Sequence, residues 1–297
     1  MTSLRTPDSR FENLEGYPFI PNFFTTKDDL RMHFVDNVEG SPTIIMLHGE
    51  PSWSYLYRKM IHQFQSNNWR TIAPDLIGFG KSDKPNNRND YTYESHYSWL
   101  NEWFESLDID KAYLFIQDWG GLLGLRLAVD HQDKIEGLVI ANTFLPAGYV
   151  EPNKAFIQWR DFSQNVPEMD IGQILNMGTV TRLSPNVIAA YNAPFPDETY
   201  KEGARQFPAL VPFGADNPEC LKNREYWKSL MKWEIPTLTM FSDSDPIMSG
   251  LEKIFQERIP GCKDQPHEII KGGGHFLQED KGEEIAQKII DWNNLLK

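Results

Sequence analysis

Apolar residues along the chain follow two rhythms. Short runs rich in β-branched residues, with almost no polar interruption, alternate with longer stretches where apolar positions recur at helical spacing. Thr43–Leu47 reads as a strand, Trp53–Gln65 as a helix and Thr71–Ala73 as the next strand. A helix around Ser95–Leu107, a strand at Ala112–Gln117, a helix from Gly121 to Val129 and a strand at Gly137–Asn142 continue the series. Strands that are hydrophobic nearly throughout must be covered on both faces. The pattern predicts an α/β protein with a mostly parallel, doubly wound sheet.

The rhythm breaks after residue 145. Prolines crowd the stretch that follows, among them Pro194, Pro196, Pro208 and Pro212, and no long strand fits there. Ile171–Met177 and Pro185–Tyr191 read as short helices, and aromatic residues persist, so the stretch is expected to be an inserted helical cap and not a linker. Alternation resumes with a strand at Thr237–Ser242, a helix near Gly250–Ile259, a short strand at His267–Lys271 and a helix from Lys281 to about Leu296. The expected organisation is therefore a core in two parts, 1–145 and 219–297, with a cap over 146–218.

Composition narrows the function classes. The chain has 297 residues, 40% of them hydrophobic, and its 42 acidic against 29 basic residues give a net charge of −13. Such a field repels phosphate backbones and anionic lipid, so neither nucleic acid nor membrane is an expected partner. The N-terminal stretch contains Pro7, Pro18 and Pro21 where an export signal needs an unbroken apolar run, and no run is long enough for a transmembrane helix. A cytoplasmic protein is expected. Cys220 and Cys262 lie outside any CxxC spacing, which supports neither a disulfide framework nor a zinc site.

The chemistry is concentrated just after strands, where doubly wound sheets place their active groups. His48-Gly49-Glu50-Pro51 follows the strand ending at Leu47, and Asp118-Trp119-Gly120-Gly121 follows Gln117. Asp243-Ser244-Asp245-Pro246 follows Ser242, and three glycines then His275 follow Lys271. Strand, tight turn and helix form the setting of a nucleophile elbow, and nucleophile, acid and histidine stand in the α/β-hydrolase order. The elbow carries Asp118, and neither GxSxG nor GxCxG occurs, which disfavours acyl transfer by serine or cysteine. A carboxylate, with an ordinary pKa of about 4, is ionised at neutral pH and attacks a tetrahedral carbon without a base. Hydrolysis of the resulting ester does need one, and His275 with a carboxylate partner fits that task. An Asp opening a helix is commonly only its N-cap, and Asp243 or Asp245 could be a simple turn former. The strand, elbow, Gly-Gly and helix series favours the nucleophile, and Asp245 is preferred as the acid because it closes its loop before a proline.

Taken together, HGEPSWSYLYR (48–58), DLIGFGKSDK (75–84), QDWGG (117–121) and APFPDETY (193–200) resemble the haloalkane dehalogenases over nearly the whole chain. The pairing of HGEP with QDWGG is fairly specific, whereas DLIGFGKSD is common across α/β-hydrolases. The resemblance implies hydrolysis of a neutral haloalkane to alcohol and halide through an alkyl ester on Asp118, with no metal or organic cofactor. It also implies that the indole N–H of Trp119 holds the departing halide, since a donor-only group stabilises the growing charge without reacting. Phe156-Ile157-Gln158-Trp159-Arg160 is similar to the cap segment that supplies a second donor, here Trp159. The backbone N–H groups of Glu50 and Trp119 would form the oxyanion hole. Where one branch has an asparagine, this chain has Glu50, which is acceptor-only when ionised and so is set aside as a halide donor. Some relatives place the acid where this chain has Asn142, a neutral amide, which again favours Asp245. A monomer is expected. Soluble epoxide hydrolases, which use an Asp nucleophile with phenol donors from the cap, are the alternative; Tyr149, Tyr191 and Tyr200 lie in that stretch. A ligand-binding protein without turnover is the remaining alternative, and it would be expected to have lost a member of the triad.

Overall fold

A computed structural model describes residues 2–297. Its strands are β1 (Ser3–Leu4), β2 (Pro21–Thr25), β3 (Arg31–Asp36), β4 (Thr43–Leu47), β5 (Arg70–Pro74), β6 (Lys84–Pro85), β7 (Ala112–Gln117), β8 (Ile135–Ala141), β9 (Thr237–Ser242) and β10 (Glu268–Ile270). The helices are α1 (Arg58–Ser66), α2 (Tyr93–Glu105), α3 (Trp119–Asp130), α4 (Lys154–Asn165) and α5 (Ile171–Met177). They continue with α6 (Pro185–Asn192), α7 (Glu202–Leu210), α8 (Pro218–Leu230), α9 (Glu252–Arg258) and α10 (Leu277–Leu296). Strands β1 and β6 form a small ribbon, and the other eight make one sheet in the order β10-β9-β8-β7-β4-β5-β3-β2. Every neighbouring pair is parallel except those that include β3, which is antiparallel to both β2 and β5. The strand order reverses at β4, which lies between β5 and β7, so the loops after β4 and β7 open onto the crevice where such sheets bind ligands.

Burial explains why these segments became strands. All residues of β7 and β9, and all of β4 after Thr43, are buried between helical layers. Strands β2 and β3 were not expected. Edge strand β2 has no buried residue, and β3 mixes buried Met32, His33 and Val35 with half-buried Arg31 and Asp36, so they lack the continuous apolar signature. The helix expected from Trp53 begins as a 3₁₀ turn over Ser54–Tyr57 before α1, and the last helix starts earlier than expected, at Leu277. Lys281, where it was expected to begin, is a kink with φ of −136°. Cys220 and Cys262 are both buried and free.

Between β8 and β9 the chain is helical throughout its regular elements. Asn153, Asp170 and Ser184 cap α4, α5 and α6 by accepting backbone N–H bonds from Phe156, Gln173 and Val187. Pro185 and Pro218 occupy first turns, where proline is tolerated because that N–H has no helical partner. Two carboxylates, one buried and one half-buried, join this segment to the core. Glu279 takes both guanidinium nitrogens of Arg58 at 2.6 Å and the hydroxyl of Tyr191 in α6 at 2.7 Å. Asp280 accepts the N–H groups of Val180 and Thr181 at 3.0 and 2.7 Å and that of Gly274 at 2.8 Å. Among the described residues, no helix is long and apolar enough to cross a membrane.

Candidate active site

Asp118 stands at the tip of the turn between β7 and α3 with φ of 51° and ψ of −125°, a conformation that few non-glycine residues adopt. Its side chain makes no capping bond to α3, so the bland reading of this residue as a helix cap fails. The neighbouring chain is compressed to allow the turn. A Cβ on Gly120 would run into the carbonyl of Leu47, one on Gly121 into Thr143, and one on Gly49 into the Asp118 side chain. The Thr143 hydroxyl donates to the Asp118 carbonyl at 2.7 Å, and the Asp118 N–H donates to the Asn142 carbonyl at 3.0 Å. The carboxylate is thus held at the sheet's carboxyl edge, above the N-terminus of α3, whose dipole favours negative charge.

His275 approaches from the loop before α10. Its Nε2 lies 3.5 Å from Asp118 Oδ2, and its Nδ1 lies 2.7 Å from Asp245 Oδ2. Asp245 is fully buried, and its second oxygen accepts the N–H groups of Ile247 and Met248 at 2.8 and 3.2 Å. Burial alone would raise the Asp245 pKa, but His275 and these N–H donors hold it below the usual carboxylate value. For His275 burial favours the neutral ring, yet Asp245 and then Asp118 outweigh it and raise the imidazole well above its ordinary range.

Asp243 is elsewhere. Its Oδ1 accepts the Gly272 N–H at 2.9 Å, a turn-forming role. Asn142 lies beneath the histidine loop, donating to the carbonyls of Gly274 and His275 at 3.0 and 3.1 Å, and it does not pair with the ring. Gln117, the last residue of β7, also reaches the histidine. Its Nε2 sits 3.2 Å from both the Nε2 and the carbonyl of His275, so the residue before the nucleophile also steadies the ring. Alternation along a fully buried strand gives no sign of which end residue reaches across.

Glu50, Asp118, Trp119, Trp159, Asp245 and His275 all line one cavity of about 420 Å³. The remaining wall is dominated by apolar groups, including Phe144, Phe156, Phe213 and Phe276. Trp159 projects from α4, and Trp119 is packed between Tyr93 and Phe207, with ring centroids at 5.3 and 4.3 Å. The Glu50 N–H donates to Asp118 Oδ1 at 2.8 Å, whereas the Trp119 N–H makes no such bond. The Glu50 side chain is buried. That burial and the Asp118 charge push its carboxyl well above the usual carboxylate range, while His275 and the Trp159 indole oppose the shift. The ionised form on which its exclusion as a donor rested is therefore disfavoured. Among the described residues no tyrosine lines the cavity: Tyr149 is exposed and the Tyr191 hydroxyl is committed to Glu279. Val150, Met177 and Val180 line the cavity and are also exposed, which marks its mouth.

The alpha/beta hydrolase fold profile matches residues 42–282. A haloalkane dehalogenase from Psychrobacter cryohalolentis is 49% identical, with 98% of each chain covered. One from Mycolicibacterium paratuberculosis is 47% identical over the whole of both chains. This chain belongs to the haloalkane dehalogenases. Among solved structures, the tetrameric haloalkane dehalogenase DpaA from Paraglaciecola agarilytica superposes with a TM-score of 0.88 at 34% identity, covering 97% of each chain. Membership of this family of hydrolases accounts for the strand order and for the loops that meet at the cavity.

Proposed function

We propose that the protein hydrolyses neutral haloalkanes to an alcohol and a halide through a covalent ester on Asp118. An Asp118 oxygen attacks the halogen-bearing carbon, the carbon–halogen bond breaks, and the halide leaves with the bonding pair toward the indole N–H groups of Trp119 and Trp159. Water then adds to the ester carbonyl carbon while His275 takes its proton, and Asp245 balances the imidazolium. Collapse expels the alkoxide, which recovers the proton as alcohol. The backbone N–H of Glu50, already on Asp118 Oδ1, supports one oxyanion donor; that of Trp119 would have to turn in as the tetrahedral intermediate forms. Residues 146–218 act as the cap, supplying Trp159 and the apolar mouth. The protein is read as a monomer, which light scattering on the purified chain tests.

One observation carries this reading: a half-buried carboxylate free of capping duty faces an apolar cavity that holds two tryptophans and no tyrosine. An epoxide hydrolase would need phenol donors at that wall. Halide release from 1-bromobutane, without diol formation from styrene oxide, is the expected result. Diol without halide would reverse the choice, and inertness toward both would leave a binding protein.

A further inference from the structure

Glu50 is a buried polar wall group whose side chain has no task in this scheme. It is 4% exposed, and its Oε1 is sealed from solvent with no hydrogen-bond partner. Its own N–H reaches Asp118 Oδ1 at 2.8 Å, so the carboxyl lies beside the nucleophile. The Trp159 indole is within reach of the carboxyl and, after His275, opposes burial by favouring the charged form of Glu50. The same indole N–H is a proposed halide donor. It can serve an ionised Glu50 or a halide, but a halide held there would sit against the carboxylate, and two anions sharing a water-excluded wall repel strongly. A neutral carboxyl removes the competition and adds a donor of its own. The other titratable groups lining the cavity are Asp118, Asp245, His275 and, at the mouth, Glu151.

We propose that Glu50 holds a proton while halide is bound, donating its O–H into the leaving-group site beside Trp159, and that a bound halide retains this proton more tightly than the empty site does. This rests on the indole halide site proposed above. Where the pH is high enough to ionise Glu50 in the empty site, halide and proton enter and leave together, and the carboxylate of the empty site takes up the Trp159 N–H. Linkage then requires halide affinity to fall as pH rises through the range where Glu50 ionises.

Bromide binding, read by quenching of tryptophan fluorescence at constant ionic strength, tests this in a His275→Phe background, which removes the imidazole's proton. Affinity in His275→Phe is expected to fall with rising pH, approaching about tenfold per unit, the slope of one linked proton. Adding Glu50→Gln, which keeps a neutral donor, should flatten the profile to within about twofold. An unchanged slope in the double variant, or a flat profile in His275→Phe alone, overturns the proposal and leaves the indole site intact. Should Glu50→Gln fail to fold, calorimetry of bromide binding to His275→Phe in two buffers of different ionisation enthalpy decides. Measured across a pH series, proton uptake that rises toward one per bromide at high pH supports the proposal, and none at any pH overturns it. If bromide binds to neither the wild type nor the variants, the halide site itself falls, and this inference with it.

Discussion

Asp118 and His275 are coupled through charge, and the coupling changes sign of usefulness during a turnover. In the free enzyme the Asp118 carboxylate helps to hold a proton on His275, whose pKa is raised. A protonated ring cannot take a proton from water. Alkylation neutralises Asp118 and removes that support, so the imidazole pKa falls at the stage where a base is needed. Decay of the alkyl-enzyme, followed by rapid quench, should therefore rise with pH to a plateau. Its midpoint should lie below the imidazole pKa found by NMR titration of the free enzyme; equal midpoints would contradict the coupling. Replacement of His275 by phenylalanine should leave the first step working. One halide per enzyme is expected, followed by arrest with the alkyl group attached, visible by intact-mass spectrometry; release of halide without an adduct would contradict the division of labour. Asp118 and Asp245 were legible because each follows an apolar strand in an unusual local sequence. The raised pKa of Glu50 was not legible, since it depends on burial and on the charge of Asp118, 68 positions away.

At the scale of elements, the elbow between β7 and α3 works only because glycine backbone fills the space under it. Gly120→Ala would place a methyl against the Leu47 carbonyl, a backbone atom that cannot turn aside. A loss of roughly 1–3 kcal/mol is expected from such overpacking, measured by urea denaturation, together with a larger fall in activity than in folded fraction. Equal losses would mean that the turn serves stability alone. The core strands could be read from sequence because burial on both faces leaves a continuous apolar run, and Thr43–Leu47, Ala112–Gln117 and Thr237–Ser242 are found where they were expected. The cap was harder. Helix α4 leaves the apolar Ile157 and Phe162 exposed and α7 contains Pro208, both against the usual helical pattern, whereas α5 and α6 stood out by their apolar positions.

At the scale of the whole molecule, two features act on the same substrate. The net charge of −13 repels anions in solution, and the apolar cavity offers them little solvation inside. A haloalkanoic acid should show kcat/KM lower by about tenfold or more than the matched haloalkane at low salt, recovering in part as salt screens the outer field. Equal values in steady-state assays would show that neither the field nor the cavity wall selects for neutral substrates.

The central claim is that Asp118 forms the first bond to substrate carbon, and turnover in ¹⁸O-water tests it most directly. In a single turnover with enzyme in excess, the alcohol should carry ordinary oxygen taken from Asp118, while mass spectrometry of the peptide that contains Asp118 finds the heavy isotope in its carboxylate. Heavy oxygen in the first alcohol, with Asp118 unlabelled, would mean that water attacks the substrate directly, and the ester mechanism would be wrong.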